Sequence, residues 1–411
     1  TLTAGKLTIE RGRGQNGKTV VRAQGVLPLD PTRDLLDLQV HVDELDLDER
    51  LQAWTPPELA SLWVEFEPSG RVDVQTRLRR EVPDTPLEIN TTVTCRDVAG
   101  KYRLFPYPVE HVTGTLAIGP ERVDVDMKTT IDDHVLTCKG TIEDPGLDPL
   151  VLLDFRSDGL PINETLLTAL PEDVRKVVNQ FHPSGTARGT AHVERSKATP
   201  TDPEGKVAIN TDITFDERGR CSITWDGLPI PITHLTGRLK VAPDHWTLEN
   251  IQGRHGVATL TGDGRVDQLA DGLKVRLSLS ARDIAFDQQL YQALPAPWRA
   301  TWEVLNPVGS SQVTALIELE PGKADHYHLK VVPDKETRVQ LKFQPVGGPK
   351  MAARPGRVFE MPPMERVGGS FVFDDGDVTM HDVSFQFRGS PVKFPFGTVK
   401  EVELGMAMVR A

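Results

Sequence analysis

One stretch of this chain returns twice more without a gap, and it constrains the fold more than any other feature. It reads DERLQAWTPPELASLWVEFEPSGRVDVQTRL from Asp48, NETLLTALPEDVRKVVNQFHPSGTARGTAHV from Asn163 and DQQLYQALPAPWRATWEVLNPVGSSQVTALI from Asp287. Asp48, Asn163 and Asp287 carry the short acceptor side chains that cap a helix. Leu51, Leu166 and Leu290 follow three residues on, and Pro56, Pro171 and Pro295 mark the break. A second helix then repeats apolar residues at i, i+3, i+4 and i+7. They are Leu59, Leu62, Trp63 and Phe66, then Val174, Val177, Val178 and Phe181, then Trp298, Thr301, Trp302 and Leu305, with Thr301 the weak member. Pro68, Pro183 and Pro307 stop that helix, and Gly70, Gly185 and Gly309 turn the chain into a strand. Three copies of one helical corner identify a repeat protein.

The segments between corners alternate with period two, which is the pattern of a half-buried strand. Val72, Val74, Thr76 and Leu78 point one way while Arg71, Asp73, Gln75 and Arg77 point the other. Leu87, Ile89, Thr91, Val93 and Cys95 continue the pattern. Val207, Ile209, Thr211, Ile213 and Phe215 match them in the second copy, and Val339, Leu341 and Phe343 in the third. Leu36, Leu38 and Val40, then Val151, Leu153 and Phe155, then Val275, Leu277 and Leu279 precede the corners. Closing units of three strands start at Gly114, Gly237 and Gly369, the second containing Leu239 and Val241. Pro-rich bends such as Phe105-Pro106-Tyr107-Pro108 come just before them. The expected division is 1–30 as the tail of a preceding repeat, then repeats over 31–145, 146–270 and 271–411.

The expected fold is therefore mainly β with short helices. It is an elongated antiparallel repeat array forming a twisted half-pipe or groove, with a helical pair in each repeat. The chain has 47 basic and 59 acidic residues, a net charge of −12, and no Lys/Arg cluster, which argues against nucleic acid. Its three cysteines, Cys95, Cys138 and Cys221, lack metal or redox spacing. A Cys95–Cys138 disulfide and buried free thiols both stay open. No apolar run reaches the roughly 18 residues of a spanning helix, and no signal peptide is present. The opening on Thr1, inside a strand pattern, reads as an excised segment whose anchor or signal lies outside it.

The alternation, the Pro-Ser-Gly after a paired helix (Pro-Val-Gly in the third copy) and the phrase LTGRLKVAPDHWTLENIQGRHGVATLTGDGRV from Leu235 resemble the AsmA-like family, kin of TamB and YhdP. Ile251-Gln252-Gly253-Arg254-His255-Gly256 looks the most family-like. The resemblance covers nearly the whole chain, through repeated pattern and without a catalytic motif. It implies a β-groove whose apolar interior carries phospholipid acyl chains between the membranes of a two-membrane bacterial envelope, anchored by an N-terminal transmembrane helix. The chain departs from that pattern by lacking the helix and by carrying corners that could plug a groove.

Read from the residues, an apolar trough would shield acyl chains at about 0.8 kcal/mol for each CH₂ removed from water. The candidate groove residues are Ile89, Val93, Ile209, Ile213, Leu239, Val241, Val275, Leu277, Leu279, Leu341 and Phe343. The alternative is a filled core, which would make the array a structural or scaffold rod meeting partners through its polar face. Phospholipid acyl chains, envelope membranes reached through regions outside this segment, and a second copy or envelope protein are the expected partners; the expected compartment is the periplasm.

No enzyme, cofactor or metal is assigned. There is no G-x-S-x-G, and Arg254, His255 and Gly256 read as a polar turn. His326 and His328 share a strand face and could ligate a metal, but no acid or cysteine at fixed spacing completes the set, so exposed strand histidines are favoured. His111, His234 and Arg366 stand three residues before Gly114, Gly237 and Gly369, a swap that fits a turn role. Asp374-Asp375-Gly376-Asp377 reads as a hairpin turn, since no EF-hand pattern follows. Trp63, Trp298 and Trp302 belong to helical stripes.

Overall fold

The computed structural model describes residues 1–3, 6–28, 35–55, 63–64, 66–103, 105–145, 148–200, 205–294, 296–343, 359–374 and 377–399. Leu59 and Leu62 of the first corner and the Asp375-Gly376 pair lie outside these residues. The chain is mainly β, with five short α-helices among the described residues. It divides into two compact units, Thr1–Arg175 with Ala187–Ile213, and Lys176–Thr186 with Thr214–Ala411.

In unit 1 the strands are β1 (Leu2–Thr3), β2 (Lys6–Asn16), β3 (Thr19–Pro28), β4 (Leu36–Leu47) and β5 (Ser69–Arg80). They continue as β6 (Glu88–Tyr102), β7 (Phe105–Ile118), β8 (Arg122–Ile131), β9 (His134–Glu143) and β10 (Leu150–Ile162). Each pairs antiparallel with the next. Among the described residues no pairing closes β1 onto β10, so the sheet is open. Two further strands, β11 (Gly185–Arg195) and β12 (Val207–Phe215), run across the division between units.

Unit 2 holds β13 (Ile223–Trp225), β14 (Leu228–Val241), β15 (His245–His255), β16 (Ala258–Leu269) and β17 (Gly272–Ala285). After a helical corner come β18 (Pro307–Val308), β19 (Ser310–Leu319), β20 (His326–Pro333), β21 (Arg338–Val339), β22 (Lys342–Phe343) and β23 (Phe359–Glu360). The chain then runs through β24 (Met364–Asp374), β25 (Asp377–Phe387) and β26 (Ser390–Val399). Antiparallel pairing gives the order β13-β14-β15-β16-β17-β19-β20-β24-β25-β26. The short β21 bridges β18 to β24, and β22 with β23 makes a separate two-stranded ribbon.

The helices are α1 (Glu49–Trp54), α2 (Glu164–Ala169), α3 (Glu172–Asn179), α4 (Gln288–Ala293) and α5 (Ala296–Leu305). Their starts follow the sequence: the N–H groups of Leu51, Leu166 and Leu290 donate to the capping oxygens of Asp48, Asn163 and Asp287 at 2.9, 3.0 and 2.9 Å. Their ends have a cause as well. Thr55, Leu170 and Leu294 each precede a proline in the sequence, a position that disfavours helical backbone, and all three are extended, with ψ +131°, +147° and +143°.

The strands bend at repeated places. His111, His234 and Arg366 all take φ +53°, and three residues later Gly114, Gly237 and Gly369 take φ +139°, +124° and +99°. The ladder slips register at each place. A Cβ on Gly114 would sit 2.2 Å from the carbonyl oxygen of Asp126. These are β-bulges in which only glycine tolerates the close approach, so the side chain three residues earlier can change from imidazole to guanidinium without cost to the bend.

Few of the described residues are sealed from water. In unit 1 Val72 and Cys95 face each other at 3% and 6% exposure. In unit 2 Ser311 and Thr337 are each 1% exposed, and the Thr337 hydroxyl donates to the Ser310 carbonyl at 2.7 Å. The cysteine question resolves geometrically. Cys95, Gly114, Met127 and Cys138 are directly opposed on four successive strands, which puts the thiols about 14 Å apart. A disulfide needs Cα atoms within about 7 Å, so this pair does not bridge, and all three cysteines are free. Burial pushes the Cys138 thiol up to about 11, with Asp154 and Asp126 adding to it, which leaves it a poor nucleophile.

Candidate functional site

Residues directly opposed across an antiparallel ladder share a face, so register alone maps each face of the sheet. In unit 1 Val21, Val42, Val74, Val93, Leu116, Val125, Gly140 and Leu153 form one row through β3 to β10. Flanking it are Ala23, Val40, Thr76, Thr91, Ile118, Val123, Ile142 and Val151 on one side. Leu45, Val72, Cys95, Gly114, Met127, Cys138 and Phe155 lie on the other. The hydroxyls that interrupt the second row, on Thr76 and Thr91, bond each other at 3.1 Å. The central row spans seven strand spacings, about 34 Å. Its members are half-buried, apart from Val21 at 37% exposure.

The opposite face of unit 1 is polar and largely self-satisfied. Arg77 grips the Asp37 carboxylate with two hydrogen bonds at 3.1 and 3.0 Å. Gln24 donates to Gln39 at 2.9 Å, Arg96 to Asp73 at 2.6 Å and Lys139 to Asp126 at 2.9 Å. Arg22 pairs with Asp43. The Arg77 guanidinium, through its hydrogen bond, holds the Asp37 carboxyl below its ordinary range. Partial burial would raise Asp73, but the hydrogen bonds from Arg96 and the Glu44 N–H outweigh it and leave it lowered. A shallow depression of about 420 Å³ lies on this face, against Gln75, Arg77, Asn90, Thr92 and Asp124. Its Arg77 and Arg122 are both committed to neighbouring carboxylates.

Unit 2 repeats the two-faced plan with a different filling. Leu239, Leu248, Gly264, Leu277, Ile317 and Tyr327 form one apolar row. Ile251, Gly262, Leu279, Ala315, Leu329, Phe373 and Val378 form the next. Val241, Trp246, Val266, Val275 and Leu319 form a third. Here a helix sits on the face, because Trp298 of α5 packs against Phe373 with ring centroids 5.6 Å apart and the ring planes tilted by 52°. Trp302 meets Phe286 and Tyr291 at 5.6 and 6.0 Å, which closes the corner upon itself.

Nine of the eleven groove candidates stand on long strands, half-buried or exposed. Ile89 is 45% exposed and faces Leu78, and Val93 lies in the central row. On β12 Ile209 is 48% exposed and Ile213 half-buried. Leu239, Val241, Val275, Leu277 and Leu279 lie in the rows of unit 2, with Leu279 42% exposed. Leu341 and Phe343 stand elsewhere. The expected single strand through Val339, Leu341 and Phe343 is split, because the Gln340 N–H donates to the Leu305 carbonyl at the end of α5, at 3.0 Å. Phe343 then pairs in the ribbon opposite Phe359.

Two turn readings agree with the geometry. β15 ends at His255 and β16 starts at Ala258, so Arg254, His255 and Gly256 belong to a tight hairpin, with Gly256 at φ +57°. His255 is held by the Pro231 carbonyl at 2.9 Å. Asp374 and Asp377 face each other across the second hairpin. Among the described residues no helix is long and apolar enough to cross a membrane, which says nothing about strands. No family model, curated protein or solved structure matches this chain.

Proposed function

We propose that this chain is a non-enzymatic, AsmA-like envelope protein whose apolar sheet face shields lipid acyl chains during inter-membrane transfer or outer-membrane assembly. One observation carries the proposal: the central row of unit 1 runs unbroken across eight strands and is half-open to water. A sheet that buries this face under its own side chains would leave those residues sealed, as Val72 and Cys95 are. Acyl chains laid on such a row gain about 0.8 kcal/mol for each CH₂ removed from water, with no fixed polar contact required. The three-repeat, half-pipe arrangement and the periplasmic location belong to the same proposal. Gently purified protein should carry phospholipid, read by native mass spectrometry and by lipid extraction. Protein that is lipid-free and takes up no fluorescent fatty acid overturns it.

The scaffold-rod alternative has its own support. Trp298 on Phe373 shows that part of the apolar face in unit 2 is already occupied by the chain itself. If unit 1 behaves likewise in solution, the polar face with its cross-strand ion pairs becomes the working surface, and pull-downs recover protein partners in place of lipid.

A further inference from the structure

The polar face of unit 1 holds a hollow that lipid shielding on the other face leaves unused. Its cause is side-chain size along one strand. Gln75, Thr92, Ala117 and Asp124 are directly opposed on β5 to β8, and Arg77 faces Asn90 one row further on. Ala117 is the shortest side chain of its row, and Gly119, just past the end of β7, has none. Taller groups stand on the strands to either side, so the floor follows β7 and the walls are β6 and β8. The hollow measures about 420 Å³, which lies in the range of small-molecule sites. A second one of about 190 Å³, against His41, Asp73 and Thr94, shares Gln75 and Thr92 with it.

The charged groups of these walls are already balanced in pairs: Arg77 with Asp37, Arg122 with Asp124, and Arg96 with Asp73. The amides of Gln75 and Asn90 and the hydroxyl of Thr92 have no hydrogen-bond partner among the described residues. The open groups are thus neutral, and each of them both donates and accepts. An anion would find its guanidinium groups paired, and a cation would find its carboxylates taken. An acyl chain would leave three polar groups without partners.

We propose that this hollow binds a neutral saccharide, with Gln75, Asn90 and Thr92 as its hydrogen-bonding residues and Ala117 and Gly119 as the floor beneath the sugar. A sugar hydroxyl also donates and accepts, so it matches an amide or a hydroxyl in either sense. The adjoining smaller hollow extends the site along the face, which suits a linear oligosaccharide better than a single ring. Because the apolar rows lie on the opposite face, the outcome does not depend on lipid binding.

The test is saturation-transfer NMR and titration of the full chain with maltotriose, cellotriose and the N-acetylglucosamine trimer, with inorganic phosphate as the anionic control. At least one of the neutral sugars should bind saturably, and phosphate should not. Ala117→Tyr fills the floor from an exposed strand position that tolerates an aromatic side chain, so it should abolish binding while the melting temperature stays near that of the wild type. Gln75→Ala and Asn90→Ala should each weaken binding by at least about three-fold, the loss of one neutral hydrogen bond. Lys139→Gln, elsewhere on the polar face, should match the wild type. No saturable binding of any of the three sugars, equal affinity in Ala117→Tyr, or phosphate bound in their place would each overturn the assignment.

Discussion

The two units are built from the same local devices and differ in what lies on their apolar face. Both have a capped short helix ended by an X-Pro step, and both have a φ +53° bulge three residues before a strained glycine. Unit 1 presents rows of Val, Leu and Ile that stay half-open. Unit 2 presents rows ending in Phe373, on which Trp298 rests. Backbone shape thus depends on caps, prolines and glycines, while the covering of the greasy face depends on which large side chain reaches across. A protein can keep the first constant and vary the second without changing its fold.

That comparison can be broken most sharply at Val72. It is 3% exposed, so Val72→Asp buries an unpaired charge and should cost about 3–5 kcal/mol. Chemical denaturation followed by circular dichroism measures it. A cost below about 1 kcal/mol would mean that even the sealed part of unit 1 is open. Trp298→Ala in unit 2 comes next. Full truncation of a buried Trp costs about 3–5 kcal/mol, and the half-burial here brings the expectation to about 2–3 kcal/mol. The half-open Val93→Ala in unit 1 should stay near 1 kcal/mol. Equal losses in the two variants would erase the difference between the faces.

The shared devices predict smaller and matched effects. Asn163→Ala and Asp287→Ala each remove one capping acceptor, from a cap in unit 1 and one in unit 2, and should each cost about 1 kcal/mol. A several-fold mismatch would show that the two corners are not equivalent. The smallest effect belongs to Asp37→Asn on the polar face, where solvent screens the pair with Arg77. Its sign with pH is fixed. The folded-state pKa of Asp37 lies below the ordinary 3.8, so its contribution is present above that value and is lost as pH falls through the folded value. Wild type and variant should therefore differ at pH 7 and converge in strong acid, read as melting temperatures across that range.

Much of this was legible in the sequence because it is local. The capping oxygens, the X-Pro helix ends and the His111/His234/Arg366 equivalence each depend on residues within a few positions of one another. Long strands followed from period two, since alternation admits one pairing geometry for a half-buried sheet. The third-copy strand through Leu341 and Phe343 failed because a backbone hydrogen bond from Gln340 to Leu305 captured the chain, and no periodicity records such a capture.

The sequence by itself determined where helices start and stop, where strands bend and which side of each strand is apolar, because those are set by sterics and hydrogen bonds within a turn or two. Only the tertiary structure decided that Cys95 and Cys138 stand three strands apart, that Trp298 lies on Phe373, and that Asp374 faces His328. Register is the physical reason. A strand's own residues fix its faces, but which distant residue comes opposite is settled by how the whole ladder aligns.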